Sequence, residues 1–381
     1  MSVRPETMIL RRAALRTLMA EHALDALVVY GLAPPHNANL EYVAGDCQTN
    51  GVVFFPREGE GVLWVQPKAL VPFVGRTAQF EVRNGGVDYG DELVGEIADR
   101  GLGNGTIGLV EVDSLRTRGI PHLLYERLKE SFPAARLVTV TEAYEGVRNT
   151  LLPEEQALLE CAAADLDLVM DYFVEAVRPG VSIAQAVADT QAFSKGQKLA
   201  LSALSARAAA MDRSSSLIDP TATARVLARG DYVFFESNAA YGPYRAYRSF
   251  PIALGDPPAE AQTLFETAHE VARCVVGALK PGNRTSDVAR CGDLVIERGL
   301  WCHGPLATGQ STGGWQMIGV RGFDGYRPPT EITFQPGMAF SAFPHLMTAD
   351  NALVTILGGS VLVGERGPHL LGGQGLRYVV K

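Results

Sequence analysis

Twice in its second part this chain builds the same unit, and the repeat limits the possible folds more than any other sequence feature. The first copy is a long helical pattern, Glu154–Val177, that stops at Arg178-Pro179-Gly180. Its apolar positions, among them Leu159, Ala162, Leu166, Val169 and Phe173, recur at the i, i+3, i+4, i+7 spacing of a single helix face. Ser182 then caps a second helix that runs to about Ser194. The second copy is Ala259–Leu279, then Lys280-Pro281-Gly282, then a helix capped by Thr285 or Ser286 and running to Arg298. Pro and Gly stop a helix because the first lacks an N–H and the second accepts a left-handed turn. Each copy gives way to strand-like sequence. The matching order and lengths predict a duplicated ααβ design.

The first part reads differently. Arg11–Glu21 is amphipathic, and Ala26–Tyr30, Gly51–Phe55 and Gly61–Val65 are short β-rich runs. Thr106–Val112, Pro121–Glu130 and Leu137–Val140 follow as strand, helix and strand, which suggests a βαβ unit. Gly101-Leu-Gly-Asn-Gly105 precedes a strand, whereas a dinucleotide loop follows one and opens a helix, so it reads as a turn. The expected division is an α/β domain over 1–150 and an α+β domain over 151–381, with a boundary near Arg148–Pro153.

Composition excludes several function classes. The formal net charge of −8 opposes a nucleic-acid or anionic-membrane partner, since both need a basic surface. The apolar stretch Ala23–Leu32 is too short to span a bilayer. Met1 is followed by Arg4, Glu6, Arg11 and Arg12 with no apolar signal core. The five cysteines (Cys47, Cys161, Cys274, Cys291, Cys302) are odd in number and widely spaced. The expectation is a cytoplasmic protein without disulfides.

Several signposts now fall in order. They are Leu24-Asp-Ala-Leu-Val-Val29 and Asn39-Leu-Glu-Tyr-Val-Ala-Gly45, then Gly230-Asp231-Tyr-Val-Phe-Phe-Glu236 and Tyr244–Phe250. Phe334-Gln-Pro-Gly-Met338, Ser360-Val-Leu-Val363 and Gly367-Pro-His-Leu-Leu371 complete them. With the ααβ duplication, the chain resembles the creatinase/aminopeptidase P superfamily over nearly its whole length. The resemblance implies an α/β N-terminal domain and a pita-bread C-terminal domain. It also implies a homodimer in which the N-terminal domain helps to close the neighbouring subunit's site.

Family enzymes usually hold two divalent metals with two Asp, one His and two Glu. Carried onto this chain, the first Asp falls on Glu236. The second falls on Arg245, or on Tyr247 if no gap is allowed before Arg248-Ser249. The His falls on Gln310 in Gly309-Gln-Ser-Thr-Gly313, one Glu on Phe343, and the last Glu near Gly358. Hard cations need several carboxylates, and a guanidinium cannot ligate. The resemblance therefore implies a metal-deficient member with no cofactor, and not a metallopeptidase.

What remains points to acid–base chemistry on a small anionic molecule: C–N hydrolysis, or a lyase or cyclisation step. Glu236, His303, His345 and Tyr247 are the candidate catalytic groups. Arg245, Gln310, Tyr241 and His36 are the candidate substrate contacts, the last in the loop Pro34-Pro-His-Asn-Ala-Asn39 and from across the dimer. Strand alternation puts Arg245, Tyr247 and Ser249 on one face. Creatinase is a metal-free precedent, but its histidine before the Gly-Asp turn has no counterpart between Met170 and Gly230, where Arg213-Ser-Ser-Ser216 stands. The bland readings are a structural ion pair for Glu236, an exposed hairpin arginine and buried structural histidines. They lead to the alternative of a non-catalytic pita-bread binding protein.

Overall fold

A computed structural model of the chain describes residues 3–33, 37–112, 119–217, 219–309, 318–319 and 331–381. The described residues form two compact units, which meet in sequence between Glu154 and Glu155. No helix among them is long and apolar enough to cross a membrane.

The first unit is a six-stranded mixed sheet in the order 81–84, 62–65, 51–56, 26–31, 106–110, 136–139. Ala26–Gly31 lies at its centre, antiparallel to Gly51–Pro56 and parallel to Thr106–Val110. It is an apolar run because both faces are covered, one by a cluster with Leu15, Val43 and Tyr144, the other by one with Leu93, Ile97 and Leu128. The Asn39 motif is a fully buried helix, Ala38–Ala44. Its Asn39 carbonyl accepts from the Tyr144 hydroxyl at 2.7 Å, and its side-chain oxygen accepts from Arg148 Nε at 2.9 Å.

The second unit carries the duplicated helices beside a nine-stranded sheet. Its first long helix, Pro153–Ala176, and the next, Ile183–Gln197, follow the sequence pattern, and Ser182 Oγ accepts from the Gln185 N–H at 3.1 Å. Phe173 of the long helix meets Phe235 of the sheet at 5.1 Å between ring centroids. The second long helix is Ala259–Ala278.

Three expectations are corrected here. The single helix expected from Thr285 to Arg298 is broken into Thr285–Ala289, a 3-10 turn at Arg290–Gly292 and Asp293–Glu297. It starts behind Arg284, whose N–H donates to Asp287 Oδ2 at 2.6 Å. The hydroxyls of Thr285 and Ser286, expected as caps, bond Glu331 instead. The chain also holds a disulfide, Cys274–Cys291, with Cα atoms 5.7 Å apart. Such a distance suits a bridge, and sequence spacing carries no trace of it because the fold turns the chain back on itself.

Candidate active site

Three adjacent strands build the site. Asp231–Tyr241 lies between Leu201–Ala210 on one side and Tyr244–Ser249 on the other, the latter joined to it through a tight hairpin at Gly242-Pro243. Gly358–Gly364 pairs beyond Tyr244–Ser249. Side chains alternate between two faces. One face carries Phe235, Ser237, Tyr241 and Arg248 toward the long helix, where Tyr241 bonds Asp165 at 2.7 Å and Arg248 meets Asp167 at 3.3 Å. The other face carries Phe234, Glu236, Tyr247 and Arg245.

At the level of Glu236, neighbouring strands present Ser205, Glu236, Ser249 and Gly358 in one transverse row. Phe343 is close to it, because Ala342 before it pairs with Gly359. Three positions onto which the resemblance carries metal ligands thus fall together, although more than 100 residues separate Glu236 from Phe343 and Gly358. Their chemistry differs from a ligand set. The Phe343 ring packs against Tyr247 with centroids 5.3 Å apart. At Gly358 even a Cβ would overlap the carbonyl oxygen of Ala342, so the backbone itself fills the space of a side chain.

Glu236 is the carboxyl of this row. The Tyr247 hydroxyl donates to its Oε1 at 3.1 Å. Burial raises the Glu236 pKa above the usual carboxylate range, and the hydrogen bond from Tyr247 partly opposes it. Tyr247 is itself buried, and its backbone N–H donates to Ser360 Oγ at 2.9 Å, which ties its strand to the next one. Burial pushes its phenol up as well, with the charge of Glu236 adding to the effect. Of the two residues that the sequence leaves open at the second ligand position, Tyr247 is the one that reaches Glu236.

Two residues from Glu236 on the same face, Phe234 packs against His345 at 5.3 Å between ring centroids. His345 lies edge-on to His303 at 5.4 Å, and the His303 N–H donates to the His345 carbonyl at 2.9 Å. Burial, aided by the charge of His303, lowers His345 to about 4, so its ring is neutral at neutral pH. The structure therefore brings Glu236, Tyr247, His345 and His303 into one neighbourhood.

The predicted substrate contacts are more scattered. Arg245 is half-buried on the Glu236 face but opposite Ala240, four residues along the strand from Glu236. At about 3.4 Å per residue that is roughly 14 Å along the strand. Tyr241 points to the helical side, away from Glu236. Gln310 and His36 lie outside the described residues. Two residues of this face went unnoticed in the sequence: Ser205 and Arg207, opposite Glu236 and Phe234. The available signal was alternation in Ala203-Leu-Ser-Ala-Arg207, muted by its small residues.

Comparison with known proteins agrees in architecture and order. The profile of metallopeptidase family M24 matches residues 157–372, and that of the creatinase/prolidase N-terminal domain matches residues 11–150. The uncharacterized peptidase YqhT of Bacillus subtilis is 22% identical over 346 residues, which is 90% of this chain and 92% of that protein. The ectoine hydrolase of Halomonas elongata is 30% identical over 147 residues, 37% of this chain and 35% of that protein. Among solved structures, the X-Pro aminopeptidase of Thermotoga maritima superimposes with a TM-score of 0.78 at 16% identity, covering 97% of this chain and 99% of that one.

Proposed function

This chain belongs to metallopeptidase family M24, in the creatinase/aminopeptidase P superfamily, and we propose that it works as a metal-independent acid–base enzyme on a small anionic molecule. The observation that carries this reading is the Glu236 row. Where a dinuclear site needs several carboxylates, it holds one carboxyl, a phenol bonded to it, an apolar ring and a glycine with no room for a side chain. These residues do not fit a pair of hard divalent cations. They do fit proton transfer. A carboxyl held above its usual range by burial carries or accepts a proton near neutral pH more readily than an exposed one.

In this reading Glu236 takes a proton from water as it attacks a C–N carbon, then returns it to the departing nitrogen. Tyr247 orients the carboxyl and stabilises its ionised form. His345, neutral behind Phe234, and His303 form the second proton-handling pair. Arg245 stands at the hairpin end of the same face, four residues along the strand from Glu236, and takes no part in the proton transfer. Hydrolysis is favoured over a lyase or cyclisation step because the named relatives are peptidases and a hydrolase.

Protein purified without chelator is expected to contain substoichiometric transition metal by elemental analysis. Its turnover should be unchanged by dialysis against a strong chelator. One or two tightly held ions per chain, with activity lost on their removal, would overturn the reading. The protein is also expected to be a homodimer, as closed symmetric pairs are the commonest soluble oligomers. Light scattering at micromolar concentration should give twice the chain mass of 40.9 kDa, and a monomer mass would refute this.

A further inference from the structure

The edge strand Leu201–Ala210 brings a cation to the Glu236 face that no part of the family's motif supplies. Its register against Asp231–Tyr241 is continuous here: Ala206 faces Phe235, Ser205 faces Glu236 and Arg207 faces Phe234. Directly opposed residues of an antiparallel pair share a face, with Cβ atoms about 5 Å apart. Arg207 therefore stands beside Phe234, whose ring carries His345, and one pair of residues along from Glu236. Burial agrees with this direction. Leu204, Ala206, Ala208 and Ala210 are buried, whereas Ala203, Ser205 and Arg207 are exposed.

The guanidinium is positioned but not neutralised. Arg207 Nη1 donates to the Leu217 carbonyl at 3.0 Å, which tethers the head group to the following loop. Among the described residues no carboxylate lies within ion-pair distance of it, in a chain with 42 acidic and 34 basic residues. The pKa of Glu236 is set by burial and by Tyr247, so the charge of Arg207 is not spent on that carboxyl. The residue between the cation and the row is Ser205, small and exposed opposite Glu236. A guanidinium with free donors presents a planar fork that matches a carboxylate or phosphate edge.

We infer that Arg207 is a specificity-determining residue, which receives the anionic group of the substrate at the edge-strand side of Glu236. The inference rests on the functional reading above for the identity of the site, and it makes the side of anion entry definite. The anion would lie beside Phe234 and not at the hairpin end near Arg245. Ser205 would border it, and the scissile bond would extend across the row toward Tyr247.

Anion binding tests this without knowledge of the substrate. Succinate and inorganic phosphate, at matched ionic strength, are titrated into the full-length protein and followed by calorimetry and by thermal shift. Wild-type protein should bind at least one of them saturably, and the preferred probe tells carboxylate from phosphate recognition. Arg207→Ala should weaken that binding about tenfold or more, as expected for loss of a charge-assisted hydrogen bond. Arg207→Gln retains a donor for the Leu217 carbonyl and removes the charge, so it should weaken binding like alanine while keeping the loop in place. Arg245→Ala should change the affinity by less than threefold, and Glu236→Gln should retain or tighten it because a like charge is removed. Unchanged binding in both Arg207 variants overturns the inference, as does a wild-type protein with no saturable response. Loss of binding in Arg245→Ala alone also overturns it, yet leaves the acid–base reading intact. That reading is judged separately, by turnover in Glu236→Gln.

Discussion

Replacing Glu236 with glutamine is expected to lower turnover about 10²–10⁴-fold, the usual contribution of a positioned acid–base group. The fold should be unharmed. Glutamine keeps the shape and still accepts from the Tyr247 hydroxyl, so the ring contact with Phe343 persists. The thermal response carries a sign of its own. A carboxyl whose folded pKa lies above its unfolded value contributes stability that is complete below the unfolded pKa and is lost as pH rises through the folded one. Once ionised, Glu236 therefore works against folding. Glu236→Gln should melt at or above the wild-type temperature at pH 7, and the difference should shrink as pH falls below the ordinary carboxylate range. Turnover is measured with the substrate that wild-type protein consumes, and binding is measured alongside. Near-wild-type turnover in Glu236→Gln would remove this residue from the mechanism and shift the proton chemistry to His345 and His303.

The second large effect concerns stability. Arg248→Ala is expected to destabilise the second unit by about 3–5 kcal/mol, as breaking a buried ion pair typically does. Arg248 has 3% of its side chain exposed and sits on the helical face of the strand whose other face carries Tyr247. Its Nη2 reaches Asp167 of the long helix at 3.3 Å and the Leu371 carbonyl at 2.7 Å, and Nη1 reaches the Gly375 carbonyl at 3.1 Å. Burial lowers the Arg248 pKa and Asp167 opposes that, so cation and anion depend on each other. Removing the cation leaves a largely buried carboxylate and two carbonyls without their donor. For a unit of this size the loss corresponds to a fall in Tm of roughly 6–20 °C. Replacing both partners, as Arg248→Met with Asp167→Leu, should recover part of it, because no charge is then stranded. A single variant that melts within about 2 °C of wild type would show that the pair is dispensable.

These two residues mark the boundary between what could be read and what could not. The strand around Glu236 and Arg248 was legible, because period-2 alternation over Tyr244–Ser249 states which residues share a face before any partner strand is known. The long helices were legible for the same reason, at period 3.6, and Ser182 took the cap that its position announced. The shorter elements were not. Ala38–Ala44 is buried on all sides, so it has no polar face to set a period. Thr285–Glu297 is divided at the cysteine that joins Cys274, and a bond between distant positions leaves no local pattern.

For the site the division is sharper. The sequence by itself determined the superfamily and the order of its signposts, and it led to the expectation of one carboxyl where several ligands usually stand. It also put Arg245 at one ligand position, with Tyr247 there if no gap is allowed. Only the tertiary structure brought the Tyr247 hydroxyl to Glu236. Only it aligned Gly358 with Ser249, packed His345 on Phe234, set Tyr241 on the helical face and placed Arg207 across from Phe234. The physical reason is range. Alternation and helical period follow from backbone geometry over a few residues, whereas strand register joins segments far apart in the chain. Register is set by the packing of whole faces, and a slip of one residue would turn every side chain of a strand to the other side.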